Sequence, residues 1–291
     1  MIRLCAFADE SGKELEVQAR ELCRHGISLI ELRNVNGKNV ADLTDEEAVA
    51  CREYLAANGI TVWSVGSPLG KVKLSEAEEH MTKVERVCYL ATLLGADKIR
   101  VFSFFEAGDA DFEAVKGYLT RMTAIAARYG VRLCHENEKE IYGDTLARVK
   151  TLIAAEIPAL GFVFDPANYI QCGEDIPTAL EALFDKTDYF HIKDVVRATG
   201  QLVPAGHGDG CIGEIVDRIA TSGRDCVMTL EPHLKVFEGY GEIDNTALST
   251  AFTYSTNVES FAAAVEAMKQ VLADHGHTEM VLEDGTKGFI K

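Results

Sequence analysis

Short apolar, β-branched runs alternate with longer amphipathic stretches along the chain. Runs at 2–7, 27–32, 60–65, 97–103, 131–136, 161–165, 188–192 and 226–231 have the length and residue types of strands. Between and after them, 13–25, 44–58, 75–94, 111–129, 142–155, 176–186, 211–222 and 255–274 carry a helical pattern. Thr44 with Glu47, and Ser75 with Glu78, have the spacing of helix-start capping pairs. Gly26, Gly59, Gly95 and Gly130 follow helices just before the next strand. Strand–helix alternation of this kind predicts an α/β fold, a single (β/α)8 barrel over 1–277 with a C-terminal extension at 278–291. An open doubly wound sheet would place a glycine-rich phosphate turn after its first strand, where this chain has Ala8-Asp9-Glu10-Ser11-Gly12.

The last four strands of the barrel proper end on Glu136, Asp165, His191 and Glu231. The spacings of 29, 26 and 40 residues each leave room for a loop, a helix and the return to another parallel strand. In a barrel such strand ends meet at one mouth. Alternation along a strand puts Glu136 on the face of Cys134, His191 on that of Tyr189 and Glu231 on that of Thr229. His135 then points the other way, packed against a helix and not bound to metal. Three carboxylates and an imidazole would repel or strand one another, and a divalent cation removes that conflict. The set suits Mn²⁺ first, with Zn²⁺, Mg²⁺ or Co²⁺ acceptable. Other residues expected to face the mouth are Phe7, Glu31, Arg33, Trp63 and Ser64.

A net charge of −17 argues against a broad nucleic-acid surface, and the longest basic-leaning stretch is only Gly70-Lys71-Val72-Lys73. No uncharged apolar run approaches the ~20 residues needed to span a bilayer, and the N-terminus reads as a strand with no basic leader. The 8 cysteines contain no Cys-x-x-Cys pair, so they are expected to be buried reduced thiols in a cytoplasmic protein.

Five segments together resemble the sugar isomerase/epimerase superfamily with the xylose-isomerase-like barrel. They are Cys134-His135-Glu136-Asn137-Glu138 with Tyr142-Gly143-Asp144-Thr145, Phe164-Asp165-Pro166-Ala167-Asn168, His191-Ile192-Lys193-Asp194, Pro204 to Gly210, and Leu230-Glu231-Pro232-His233. The resemblance spans roughly residues 2–275. It implies that Glu136, Asp165, His191 and Glu231 hold one divalent metal ion, and that Glu136 and Glu231 are the catalytic acid/base pair. Asn168 falls where many relatives carry a substrate-contacting histidine, and Arg197 matches an arginine that contacts substrate hydroxyls or anions. His207 lies in a loop that relatives close over their ligand. Lys193 and Glu31 join the expected substrate-binding set, as does Trp63, which can stack on a sugar or simply fill the core.

The function expected is a metal-dependent sugar or polyol isomerase or epimerase that removes a proton next to a carbonyl through a metal-stabilised enediolate. Alternatives are an inosose-type dehydratase on the same site and a non-catalytic sugar-binding barrel. Endonuclease chemistry needs more histidines and a basic groove than this chain has. The expected partner is a small unphosphorylated sugar or polyol, with no nucleic acid or membrane, and a homo-oligomer stays open. The 232–254 connection is expected to act as a lid. The 278–291 tail should form two short strands around Asp-Gly, covering the barrel's side or a subunit contact.

Overall fold

Eight strands take the inner ring: β1 Ile2–Ala6, β2 Leu29–Leu32, β3 Thr61–Gly66, β4 Lys98–Val101, β5 Arg132–Glu136, β6 Gly161–Phe164, β7 Tyr189–Ile192 and β8 Cys226–Leu230. Each pairs in parallel with its sequence neighbour, and β8 closes on β1 from Ile2 opposite Cys226 to Ala6 opposite Leu230. The structure is a computed structural model describing residues 1–243, 247–283 and 285–291. The outer ring is α1 Leu15–His25, α2 Asp45–Ala57, α3 Ala77–Leu94, α4 Phe112–Arg128, α5 Leu146–Ala154, α6 Ile176–Leu183, α7 Ile212–Ser222 and α8 Asn257–Asp274.

Local chemistry sets the helix limits. Thr44 and Glu47 form the expected reciprocal cap on α2, with Glu47 N–H donating to Thr44 Oγ1 at 3.2 Å and Thr44 N–H to Glu47 Oε2 at 2.9 Å. Ser75 does not cap α3. It lies in a 3-10 turn, because Leu74 N–H is drawn to the Phe105 carbonyl and the helix starts only at Ala77. The 142–155 helix is also shorter than expected. Thr145 stays extended, its side chain accepts the Arg148 N–H, and α5 begins at Leu146.

Two apolar compartments result. The larger lies between strands and helices. The smaller fills the barrel with Cys5, Leu29, Cys134, Val163, Tyr189 and Val227, and Trp63 packs against it. Trp63 owes its place to a β-bulge: Ile30 pairs with Val62 but Glu31 pairs with Ser64, leaving Trp63 as the extra residue of β3. Its ring sits under Lys98 Nζ at 4.0 Å and near Arg3 at 5.9 Å, both early in their strands. Trp63 therefore lines the end of the barrel opposite the mouth, which corrects its expected sugar-stacking position.

After β8, Leu234, Phe237 and Tyr240 are buried in the long connection, and residues 244–246 of the expected lid lie outside the described residues. The tail forms an antiparallel pair, β9 Thr278–Val281 and β10 Lys287–Ile290, and Phe289 pairs with Ile2 at the start of β1. Asp284 of its Asp-Gly turn is outside the described residues. All 8 cysteines are free. Cys23 is exposed and Cys172 and Cys211 are half-buried, so the expectation of wholly buried thiols holds for only the other five. Among the described residues, no helix is long and apolar enough to cross a membrane.

Candidate metal centre

The alternation that builds the inner core also builds the site. Glu31, Glu136, Asp165 and His191 each stand two residues beyond an inward core residue: Leu29, Cys134, Val163 and Tyr189. Glu231 follows Val227 and Thr229 on the same face. The barrel is thus apolar in its lower layer and ionisable in the layer above. Asp165 is also the N-cap of a short helix, Pro166–Gln171. Its Oδ1 accepts the Asn168 N–H at 2.9 Å, which leaves Oδ2 for the barrel.

Glu136, Asp165, His191 and Glu231 bring one donor atom each to within 4.8 Å of one another, and all four are buried. His191 Nδ1 lies 2.9 Å from Glu136 Oε1 and 3.1 Å from Glu231 Oε2. One imidazole nitrogen carries at most one proton, so it cannot satisfy both carboxylates. Lys193 Nζ is 3.1 Å from Asp165 Oδ2 and 3.9 Å from Glu231 Oε2. Even so, Asp165 Oδ2 and Glu231 Oε2 accept no well-formed hydrogen bond among the described residues. Buried carboxylate oxygens with a charged neighbour but no well-aligned hydrogen bond are costly. Oxygen donors left over beside an imidazole are what a hard or borderline divalent cation takes, so the residues fit one.

A second layer holds the first. Glu31 Oε2 lies 3.2 Å from His191 Nε2, while its Oε1 accepts from Tyr189 Oη at 2.9 Å and Ser64 Oγ at 3.3 Å. A proton on Nε2 directed at Glu31 leaves Nδ1 as a lone-pair donor, the arrangement that orients metal-binding imidazoles. Each glutamate of the group is also gripped by a buried arginine. Arg100 donates to Glu136 Oε2 at 2.9 Å, and Arg33 donates to Glu231 Oε1 at 2.8 Å. Arg33 further binds Asp9 through two nitrogens, at 2.9 and 3.0 Å, and Glu10 at 3.4 Å. Phe7 lies beneath both guanidinium groups, 4.3 Å from that of Arg33 and 5.6 Å from that of Arg100.

Six buried carboxylates, Asp9, Glu10, Glu31, Glu136, Asp165 and Glu231, face three permanent buried cations, Arg33, Arg100 and Lys193. The acid excess decides the ionisation. Burial pushes the Glu136 carboxyl up, but His191 and Arg100 outweigh it and hold it at about 2. Burial likewise opposes ionisation of Glu231, and Lys193 and His191 overcome it, leaving that group well below the usual carboxylate range. Asp165 goes the other way, up to about 7, because burial and the charges of Glu136 and Glu231 prevail over Lys193. Lys193 is closer to Asp165 than to Glu231, yet it fails to hold Asp165 down. The three carboxylates compete for too little positive charge.

Among the other residues expected at the site, Asn168 is buried and its amide donates to the Asn137 carbonyl at 2.9 Å and to Glu136 Oε1 at 3.4 Å. It braces Glu136. His135 faces away from the barrel, as parity predicts, but it meets Ser103 Oγ at 2.8 Å and the Gly143 turn in place of a helix. Arg197 is exposed and donates to the Glu174 carbonyl. His207 is exposed with its ring edge-on to Phe252 at 5.9 Å. The structure brings neither to the buried group. Their loop is organised by Asp194, whose carboxylate accepts backbone N–H groups of Gly206, Gly208 and Gly210 at 2.8–3.0 Å. A Cβ on Gly208 would stand 2.4 Å from Asp194 Oδ1, so this motif is first a cradle for a buried acid. Sequence reasoning missed Asp9, Glu10 and Arg100 as members of this group, and no spacing signal marks them.

The chain matches the family model described as xylose isomerase-like TIM barrel over residues 19–252. Solved structures share the fold at low identity. D-psicose 3-epimerase with D-tagatose, from Clostridium cellulolyticum, is 13% identical with a TM-score of 0.73, over 92% of this chain and 98% of that one. The IOLI protein with a bound zinc atom is 16% identical with a TM-score of 0.71, over 94% and 99%. A probable 3-DHS dehydratase from Bacillus anthracis is 16% identical with a TM-score of 0.65, over 78% and 92%. No curated protein sequence matches the chain significantly. The closed eight-stranded barrel, its acidic mouth and the extent of the match agree: the chain belongs to the xylose isomerase-like TIM barrel family.

Proposed function

We propose that the protein is a divalent-metal-dependent isomerase or epimerase that moves a proton next to the carbonyl of a sugar or polyol-derived ketone. One observation carries the reading. Glu136 and Glu231 each spend one oxygen on a buried arginine and turn the other towards His191 Nδ1. In this reading Glu136, Asp165, His191 and Glu231 hold the ion, manganese being the first choice for such an oxygen-rich set. Bound there, it supplies Lewis acidity that stabilises negative charge on the substrate's carbonyl oxygen.

The chain's own residues do the rest. Arg100 and Arg33 fix the orientation of the two ionised glutamates, so that either can accept a proton from carbon. Neither is a strong base with its pKa held down, so the reaction depends on acidifying the substrate. Removal by one carboxylate and return by the other to the opposite face gives epimerisation. Return to the neighbouring carbon gives isomerisation. With an ion bound, Glu31, 3.2 Å from His191 Nε2, would accept that nitrogen's proton and leave Nδ1 to the ion, and Lys193 bridges Asp165 towards Glu231.

A lyase reading is kept because a probable dehydratase shares the fold. There the same deprotonated substrate would expel a hydroxyl, and loss of water from the product distinguishes the two. The test of the proton-transfer reading is Glu231→Gln in manganese-loaded protein, followed by deuterium uptake from solvent into a panel of ketoses. Uptake is expected to fall by about 10²–10⁴-fold with the circular dichroism spectrum unchanged. Undiminished uptake removes Glu231 from the mechanism.

A further inference from the structure

A cavity of about 320 Å³ opens beside the candidate metal centre, over the ends of β3 and β4 and the middle of α3. Its wall carries Arg33, Lys71, Lys83, Arg86 and Arg100 against a single carboxylate, Asp42. That is an unusual surface in a chain of net charge −17. Most of these cations have partners behind the wall. Arg33 is bound to Asp9, Glu10 and Glu231, Arg86 to Asp45 and the Leu43 carbonyl, and Lys71 to Glu138.

Arg100 and Lys83 differ. Arg100 is 3% exposed, yet its guanidinium makes one hydrogen bond among the described residues, to Glu136, and its Nε has no acceptor. A guanidinium carries five N–H groups in a planar fork, and leaving buried ones unmet is destabilising. Phe102 fixes the group, with its ring 4.4 Å from the guanidinium carbon, and also carries Lys71 Nζ at 4.7 Å. Lys83 is exposed and pairs with no carboxylate among the described residues. A rigid arginine fork with open donors, flanked by ammonium groups, is complementary to an oxyanion. A neutral hydroxyl would leave most of that capacity unused.

We infer that the substrate of the proposed proton transfer carries an oxyanion, a carboxylate or a phosphate, which docks in this cavity against Arg100, Lys71 and Lys83. The inference rests on the proton-transfer reading for the substrate's other end. It places the anionic group one guanidinium away from Glu136, so carbonyl and oxyanion sit on opposite sides of Arg100. It departs from the expectation of an unphosphorylated sugar or polyol only where the docked group is a phosphate.

Calorimetric titration of manganese-loaded protein with three matched sugars tests it: a neutral ketose, the same ketose with a terminal carboxylate, and the same ketose with a terminal phosphate. One charged sugar is expected to bind roughly tenfold or more tighter than the neutral one, and which one does so tells carboxylate from phosphate. In Lys71→Met/Lys83→Met that margin should shrink to about two- to threefold. Equal affinity for all three, no binding by any, or a margin that survives the double substitution overturns the inference. Deuterium uptake on the same samples separates the two ideas. A charge preference without uptake in any sugar leaves the oxyanion site standing and removes the proton-transfer reading. Uptake without a charge preference does the reverse.

Discussion

The two sides of the barrel mouth are built on opposite electrostatic plans. On the β5–β8 side the strand ends supply Glu136, Asp165, His191 and Glu231, a buried group with more negative charge than its cations balance. On the β2–β4 side the wall is Arg33, Lys71, Lys83, Arg86 and Arg100. Arg33 and Arg100 belong to both, since each faces the cavity and also binds a glutamate of the acidic group. The difference teaches that the acidic side is not isolated. Its excess charge is steadied by arginines that the neighbouring strands hold against Phe7. A buried ion pair of this kind is weak as a source of stability, but strongly destabilising when one partner is removed.

That asymmetry gives the largest expected effect. Arg33→Leu strands Asp9, Glu10 and Glu231 together and should cost about 3–5 kcal/mol. At roughly 2–4 °C per kcal/mol, thermal unfolding should show a clear fall in Tm. Arg86→Leu, half-buried at the cavity's outer wall, should shift Tm far less. Equal shifts would mean that the two walls are not distinguished by burial as described. Next is Glu31→Gln, which keeps the shape but weakens the orientation of His191. Manganese affinity should fall about 10–100-fold, read by titration, and an unchanged affinity would detach Glu31 from the metal group.

The smallest effect is a pH dependence confined to the cationic side. His80 Nε2 accepts the Gly70 N–H at 3.0 Å, beside the loop that carries Lys71. Burial, helped by Lys83, lowers its pKa below the ordinary 6.5. The unfolded chain then takes up the proton more readily than the folded one, so this contribution is intact above pH 6.5 and is lost as pH falls below it. Amide exchange at Gly70 should accelerate on acidification beyond its intrinsic pH trend, and His80→Gln should flatten that response. A response that persists in His80→Gln would assign it to another group.

The acidic side was legible in the sequence because each of its residues follows an inward-facing neighbour along one strand. Cys134 announces Glu136, Val163 announces Asp165 and Tyr189 announces His191. Strand and helix order was legible for the same reason, since periodicity is a local property. The cationic side was not. Its members come from positions 33, 71, 83, 86 and 100, on loops, a strand and a helix, and only closure of the barrel sets them side by side. Trp63 was misplaced because a bulge cannot be read from alternation, which it interrupts. His207 lies in a motif whose glycines are explained by Asp194 instead.

The most direct measurement is anomalous scattering from crystals grown with manganese, for the wild-type chain and for Asp165→Asn. The account predicts one strong peak bonded to Glu136, Asp165, His191 and Glu231, lost or greatly reduced in the variant. A wild-type map with no peak there, and with His191 still shared between the two glutamates, would contradict it.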